Sequence, residues 1–124
     1  MRRKTKKPRN DLEHQLQTAF FQWLAIQHPT IHKVSFAIPN AAKRSFATAA
    51  KLKDEGLKAG VPDVLICVPR GTFPGFFIEF KIKPNKPTDL QVAMMAELTA
   101  NGYRCEVIYD LDSAISFVND YITK

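Results

Sequence analysis

Apolar residues recur three and four apart along the first third of the chain, at Leu12, Leu16, Phe20 and Trp23, with Gln27 continuing the row. That spacing keeps them on one side of a helix. Asn10 stands where an N-cap is expected, and Pro29 predicts the end. "KVSFAI" (33–38) predicts a short strand that stops at Pro39-Asn40, and a second helix is expected from about Ser45 to Glu55, before Gly56. Beyond "LKAGVP" the pattern turns β-like. One strand is expected from Asp63 to Val68 and another from Phe76 to Lys83, separated by the turn-rich "PRGTFPG". Thr88 predicts the cap of a helix bearing Leu90, Met94 and Leu98, closed by Asn101-Gly102. "RCEVIY" predicts a further strand, and Leu111, Ile115, Val118 and Ile122 mark a last helix. The predicted order is α-β-α-β-β-α-β-α: an α/β fold with a mixed sheet flanked by helices.

One strand does not fit a purely structural purpose. In "FFIEFKIK", Glu79 and Lys81 interrupt an apolar run. Alternation places Glu79 and Lys81 on one face and Ile78, Phe80 and Ile82 on the other. With Val68 opposite Phe76 in an antiparallel hairpin, Asp63 falls opposite Lys81 and Leu65 opposite Glu79. Asp63 and Glu79 are then diagonal neighbours, about 7–8 Å apart. Two carboxylates so placed offer a hard, oxygen-only site suited to Mg²⁺ or Mn²⁺ rather than structural zinc. Such an ion activates water and polarises a phosphoryl oxygen, and an adjacent lysine can orient the water and offset developing charge. The alternative is a cross-strand salt bridge on a solvated face. Leu65, Cys67 and Phe77 share that face, which predicts a covered one, where a bare ion pair contributes little.

These residues carry a resemblance. "GVPD" followed by "EFK" is similar to the P-D…(D/E)-x-K signature of the PD-(D/E)xK nuclease superfamily, whose fold is restriction-endonuclease-like. The fuller pattern resembles its VRR-NUC family, the virus-type replication-repair nucleases. It includes the early helix with Glu13, "IPNAAKRS", "GVPD", "FFIEFK", Gln91 on the next helix and "GYRCEVIYD". The resemblance implies Asp63 and Glu79 as metal-binding carboxylates, with the Phe80 backbone carbonyl as a further ligand. It implies Lys81 as the catalytic lysine, Gln91 as the supporting glutamine on the helix behind the site, and Glu13 as an acid that bonds metal-bound water or orients the lysine. Both last residues have a second reading. Glu13 is the N3 residue of a helix capped by Asn10, and Gln91 is N3 of one capped by Thr88. Ala41 stands where family members often carry Gly after the Pro-Asn pair.

Composition narrows the setting. The 124 residues suffice for about one domain, with 45% hydrophobic and 24% charged residues. No apolar run approaches the roughly 20 residues of a membrane span, and no apolar signal segment follows the basic start. Cys67 and Cys105 sit in apolar runs and are read as buried free thiols of a reducing compartment. A cytoplasmic location is expected, in a bacterial cell or a phage-infected host. His14, His28 and His32 have no accompanying Cys pair, and Pro29 divides the last two, so no zinc site is expected.

The net charge of +6 is concentrated in residues 1–9, a basic and flexible tail that carries Arg2, Arg3 and Lys4 among its six basic groups. The remaining 12 basic residues match the 12 acidic ones over the domain expected at 10–124. The tail suits a polyanion, or simply solubility. Asn40, Lys43, Arg44, Lys83 and Lys86 flank the expected site and are candidates for the DNA backbone. The function expected is a metal-dependent DNA endonuclease acting on branched DNA, like a Holliday-junction resolvase. A homodimer with no organic cofactor is expected, in replication, recombination or repair. A flap- or end-processing nuclease and a non-cleaving DNA-binding module are the alternatives.

Overall fold

The computed structural model describes residues 9–39 and 45–124. In chain order these form α1 (Arg9–Gln27), α2 (Pro29–His32), β1 (Ser35–Ala37), α3 (Phe46–Asp54) and β2 (Val64–Ile66), followed by β3 (Phe76–Phe80), α4 (Asp89–Ala100), β4 (Arg104–Ile108) and α5 (Leu111–Ile122). The four strands lie in the order β1-β2-β3-β4; the first two pairings are antiparallel and β3–β4 is parallel. The parallel pair needs a crossover, and α4 supplies it.

The α/β class and the mixed sheet are as expected, with one added element. Pro29 does not leave a loop after α1; it opens the single turn α2, because proline suits a first helical position where no N–H is needed. A second correction concerns Asn10. Helix α1 already includes Arg9 and Asn10, so Asn10 is not its cap and Glu13 is not its N3 residue. The strands are also shorter than the apolar runs that predicted them.

Alternation divides the sheet cleanly. Val64, Ile66, Phe76, Ile78 and Phe80 face the core, where they meet Phe20 and Leu24 of α1 and Ala114, Val118 and Tyr121 of α5. Burial on this scale accounts for most of the driving force for folding. The Tyr121 hydroxyl donates to the Val68 carbonyl at 2.5 Å, which satisfies its one buried polar end. The opposite face carries the odd-numbered residues, and there the expectation of cover is only partly met. Phe77 and Glu79 are buried, Leu65 is half-buried, and Cys67 is exposed rather than buried. Cys105 is half-buried, and both thiols are free.

The hairpin register differs from the expected one by two residues. Val64 pairs with Ile78, Leu65 with Phe77 and Ile66 with Phe76. The chain reverses at a tight turn where Arg70 and Phe73 exchange backbone bonds, both at 2.9 Å. Three residues then lead from Ile66 to Arg70 but only two from Phe73 to Phe76, a bulge that resets the pairing. A slip of two leaves the faces unchanged. It does bring Asp63, one residue before β2, directly across from Glu79 instead of diagonal to it.

Gly60 fixes the approach to Asp63. Its φ is +85°, and a Cβ there would come within 2.7 Å of the Leu90 carbonyl oxygen at the start of α4. The turn before β2 therefore packs backbone against backbone on the first turn of α4. Gly56, at φ +102°, has nothing within 4 Å of the place a methyl group would take and meets only the conformational cost. Gly60→Ala is expected to destabilise by about 2 kcal/mol or more, against about 1 kcal/mol for Gly56→Ala. Urea unfolding of both variants checks this; equal losses would mean that the contact with α4 is not a constraint.

Candidate active site

Asp63, Glu79, Lys81 and Gln91 converge at the end of the β2–β3 hairpin. The main chain of Asp63 still belongs to the sheet, since its carbonyl accepts from the Ile38 N–H at 2.7 Å. Its side chain leaves the ladder: Oδ2 accepts from the Phe80 N–H at 2.8 Å, taking a place that a strand carbonyl would otherwise fill. The sheet thus splays at "GVPD", and a carboxylate is fixed in the opening. Phe80 itself turns its ring into the core, 5.4 Å from the ring of Phe20.

Glu79 is 2% exposed. Its Oε1 accepts from Gln91 Nε2 at 2.8 Å and lies 3.7 Å from Lys81 Nζ. Its Oε2 is buried and accepts no hydrogen bond. Burial pushes the Glu79 carboxyl up to about 8, helped by the negative charge of Asp63; Lys81 opposes the rise, and Glu13 adds a smaller push. A proton on Glu79 would let it donate to Asp63, which also favours the acid form.

Gln91 satisfies both of its readings at once. Thr88 Oγ1 accepts from the Gln91 N–H at 3.2 Å, and Gln91 Oε1 accepts from the Thr88 N–H at 2.8 Å, closing a capping box on α4. The box occupies the amide oxygen and leaves the NH₂ group to point at Glu79. Glu13 lies across a groove from this cluster, on α1, and lines it together with Asp63. Lys83 is exposed, its ammonium 5.5 Å from the centre of the Tyr109 ring, and its charge helps hold the Asp110 carboxyl below its ordinary range after the bonds from Ser113. Lys86 is exposed. Arg2, Arg3, Lys4, Asn40, Lys43 and Arg44 lie outside the described residues.

The donor set suits a hard divalent cation: oxygen only, negative, with one buried carboxylate oxygen left unpartnered. No cluster of three or more His, Cys, Asp or Glu side chains placed to hold a metal occurs among the described residues. Any ion would therefore draw on the two carboxylates plus carbonyl and water oxygens. His28 Nε2 lies 3.2 Å from Asn119 Oδ1, and His32 sits edge-on to Phe21.

A mixed sheet that presents two acids and a lysine at one opening, backed by a capped helix, is shared with proteins of a nuclease-fold family. Residues 5–110 match the VRR-NUC domain family, and the chain belongs to that family. A solved structure described as a VRR_NUC domain protein is 30% identical, with a TM-score of 0.78 over 90% of this chain and 88% of its own. A second, described as a VRR_NUC domain, shares the fold at 21% identity, with a TM-score of 0.54 over 88% of this chain and 96% of its own. No curated protein matches the chain.

Sequence reasoning missed the groove beside the site, lined by Gln17, Phe21 and His32 among others. Its one signal was the four-residue spacing Glu13, Gln17, Phe21 along α1.

The raised pKa of Glu79 makes a signed prediction for the metal-free protein. A group whose folded pKa exceeds its unfolded value near 4.5 contributes stability at low pH and loses it as pH rises toward 8. Glu79→Gln removes that loss. Measured by thermal melting in EDTA, the variant should match the wild type near pH 5. It should exceed the wild type above pH 8 by on the order of a few kcal/mol. A constant difference across that range would mean that Glu79 is not held as the acid.

Proposed function

We propose that this chain is a metal-dependent DNA endonuclease acting on branched DNA, in the manner of a Holliday-junction resolvase. The observation that carries the reading is the meeting of Asp63, Glu79 and Lys81 around a buried, unpartnered carboxylate oxygen. With Glu79 ionised, a salt bridge alone would leave its buried Oε2 without a partner, which a bound cation would supply.

Asp63, Glu79 and the Phe80 carbonyl would hold Mg²⁺ or Mn²⁺. Such an ion supplies positive charge for a phosphoryl oxygen and lowers the pKa of water at its side. Lys81, only 12% exposed, is held against Glu79 and can aim its ammonium at the attacking water and at charge that grows on the phosphorus-bound oxygens. Gln91 fixes the Glu79 carboxylate, so that its geometry does not depend on the substrate. Glu13 faces the same space and can accept a proton-bearing contact from water there. A dimer would let two such sites meet two strands of a junction. No helix among the described residues is long and apolar enough to cross a membrane.

Labelled four-way junctions, flaps, splayed arms and plain duplex, each offered with Mg²⁺, Mn²⁺ or EDTA, test the reading. Symmetrical nicks on the junction are expected with metal only. Asp63→Asn and Lys81→Ala should each lose about 100-fold or more in rate while keeping DNA binding. Cutting confined to flaps or ends would move the function to end processing, and cutting in EDTA would refute the metal site. Separately, removing residues 1–9 takes away six basic groups and should flatten the dependence of log binding constant on log salt. An unchanged slope in a filter-binding titration would make the tail a solubility device.

A further inference from the structure

We infer that the groove between α1 and β1 is a nucleobase site, taking a base unstacked from DNA beside the bond to be cut. This rests on the nuclease reading and specifies the form of its substrate. The groove has a volume of about 890 Å³ and meets the acidic cluster at Glu13 and Asp63. From there it follows two adjacent rows of α1: Glu13, Gln17 and Phe21, and beside them His14, Thr18 and Gln22. By helix geometry Gln17 lies about 6 Å along the axis from Glu13 and Phe21 about 12 Å. These are distances that the nucleotides next to a phosphate at Asp63 would reach.

The chemistry of the lining selects the base over the backbone. Among the described residues no Lys or Arg lines the groove, and its head carries two carboxylates, so the described lining offers a phosphate no cation. What the lining offers is neutral. Gln17 and Gln22 present amides that can both donate and accept in one plane, the arrangement that matches a base edge. Phe21 packs only partly against the core and meets His32 edge-on, with centroids 6.0 Å apart and planes at 77°. That corner provides a flat surface for a π-face. A base reaches such a groove only when unpaired, and junctions, flaps and splayed arms supply unpaired or easily unpaired bases at low cost.

The test uses the full chain with DNA carrying 2-aminopurine, or an abasic sugar, at each nucleotide around the cut. In EDTA, binding by the wild type should raise 2-aminopurine fluorescence at one flanking position, and Gln17→Ala and Gln22→Ala should reduce that response. With metal, an abasic sugar at the same position should raise KM about tenfold with kcat little changed. The same replacement should add nothing in the Gln17→Ala/Gln22→Ala double variant. Phe21→Leu, with folding verified by circular dichroism, tests the aromatic surface. An abasic penalty equal in the wild type and the double variant overturns the site, as does the absence of any responsive position. Cleavage indifferent to every base change removes the base site and keeps the nuclease. A fluorescence response without cleavage under any metal does the reverse.

Discussion

The structure is organised around one buried carboxylate. A glutamate that is 2% exposed in the middle of a sheet is costly unless its charge is answered. Here it is answered on one oxygen only. Gln91 donates to Oε1, and Lys81 stands at ion-pair distance from the same atom. Gln91 can do this because the capping box pins its amide, and the box is placed because the first turn of α4 rests on Gly60. The start of α4 also lends the partial positive charge of a helix N-terminus to this side of the cluster. The turn, the helix cap and the paired strands thus share one purpose: they hold a carboxyl group where burial resists its ionisation.

Much of this was legible in the sequence, because the signals were local. Alternation in "FFIEFKIK" separated core from site, and the Thr88–Gln91 spacing identified the start of α4. The site residues could be singled out because charged groups stood where an apolar run required none. What was not legible depended on non-local geometry. The hairpin register turned on a bulge beside the Arg70–Phe73 turn, and a two-residue slip leaves every face unchanged, so the apolar pattern could not detect it. The exposure of Cys67 was hidden for a related reason. An apolar neighbourhood along the chain says nothing about which helices lie over it, and α4 packs on β4 rather than over the far end of β2. The start of α1 was misplaced because Asn10 satisfies a capping rule although Arg9 before it is already helical.

That last correction bears on Glu13. As an N3 residue it would have had a structural purpose; in the interior of α1 it has none that the helix supplies. Its position at the head of the groove, near enough to Glu79 to raise that group's pKa, is the better account of an acid there.

The charges around the opening impose an order on its use. Asp63, Glu79 and Glu13 face it, with Lys81 as the one cation drawn into the cluster among the described residues. Other cations near the sheet are already engaged: Arg104 with Glu106 and Asp120, Arg70 with the carbonyls of Pro69 and Ile122, and Lys83 over Tyr109. The positive excess of the whole chain is concentrated in residues 1–9, so the charge that would attract a polyanion and the acidic cluster belong to different parts of the sequence. A phosphate approaching the cluster alone meets more negative charge than positive. The same imbalance draws a divalent cation. Local electrostatics among the described residues therefore favour a cation over an anion at this opening.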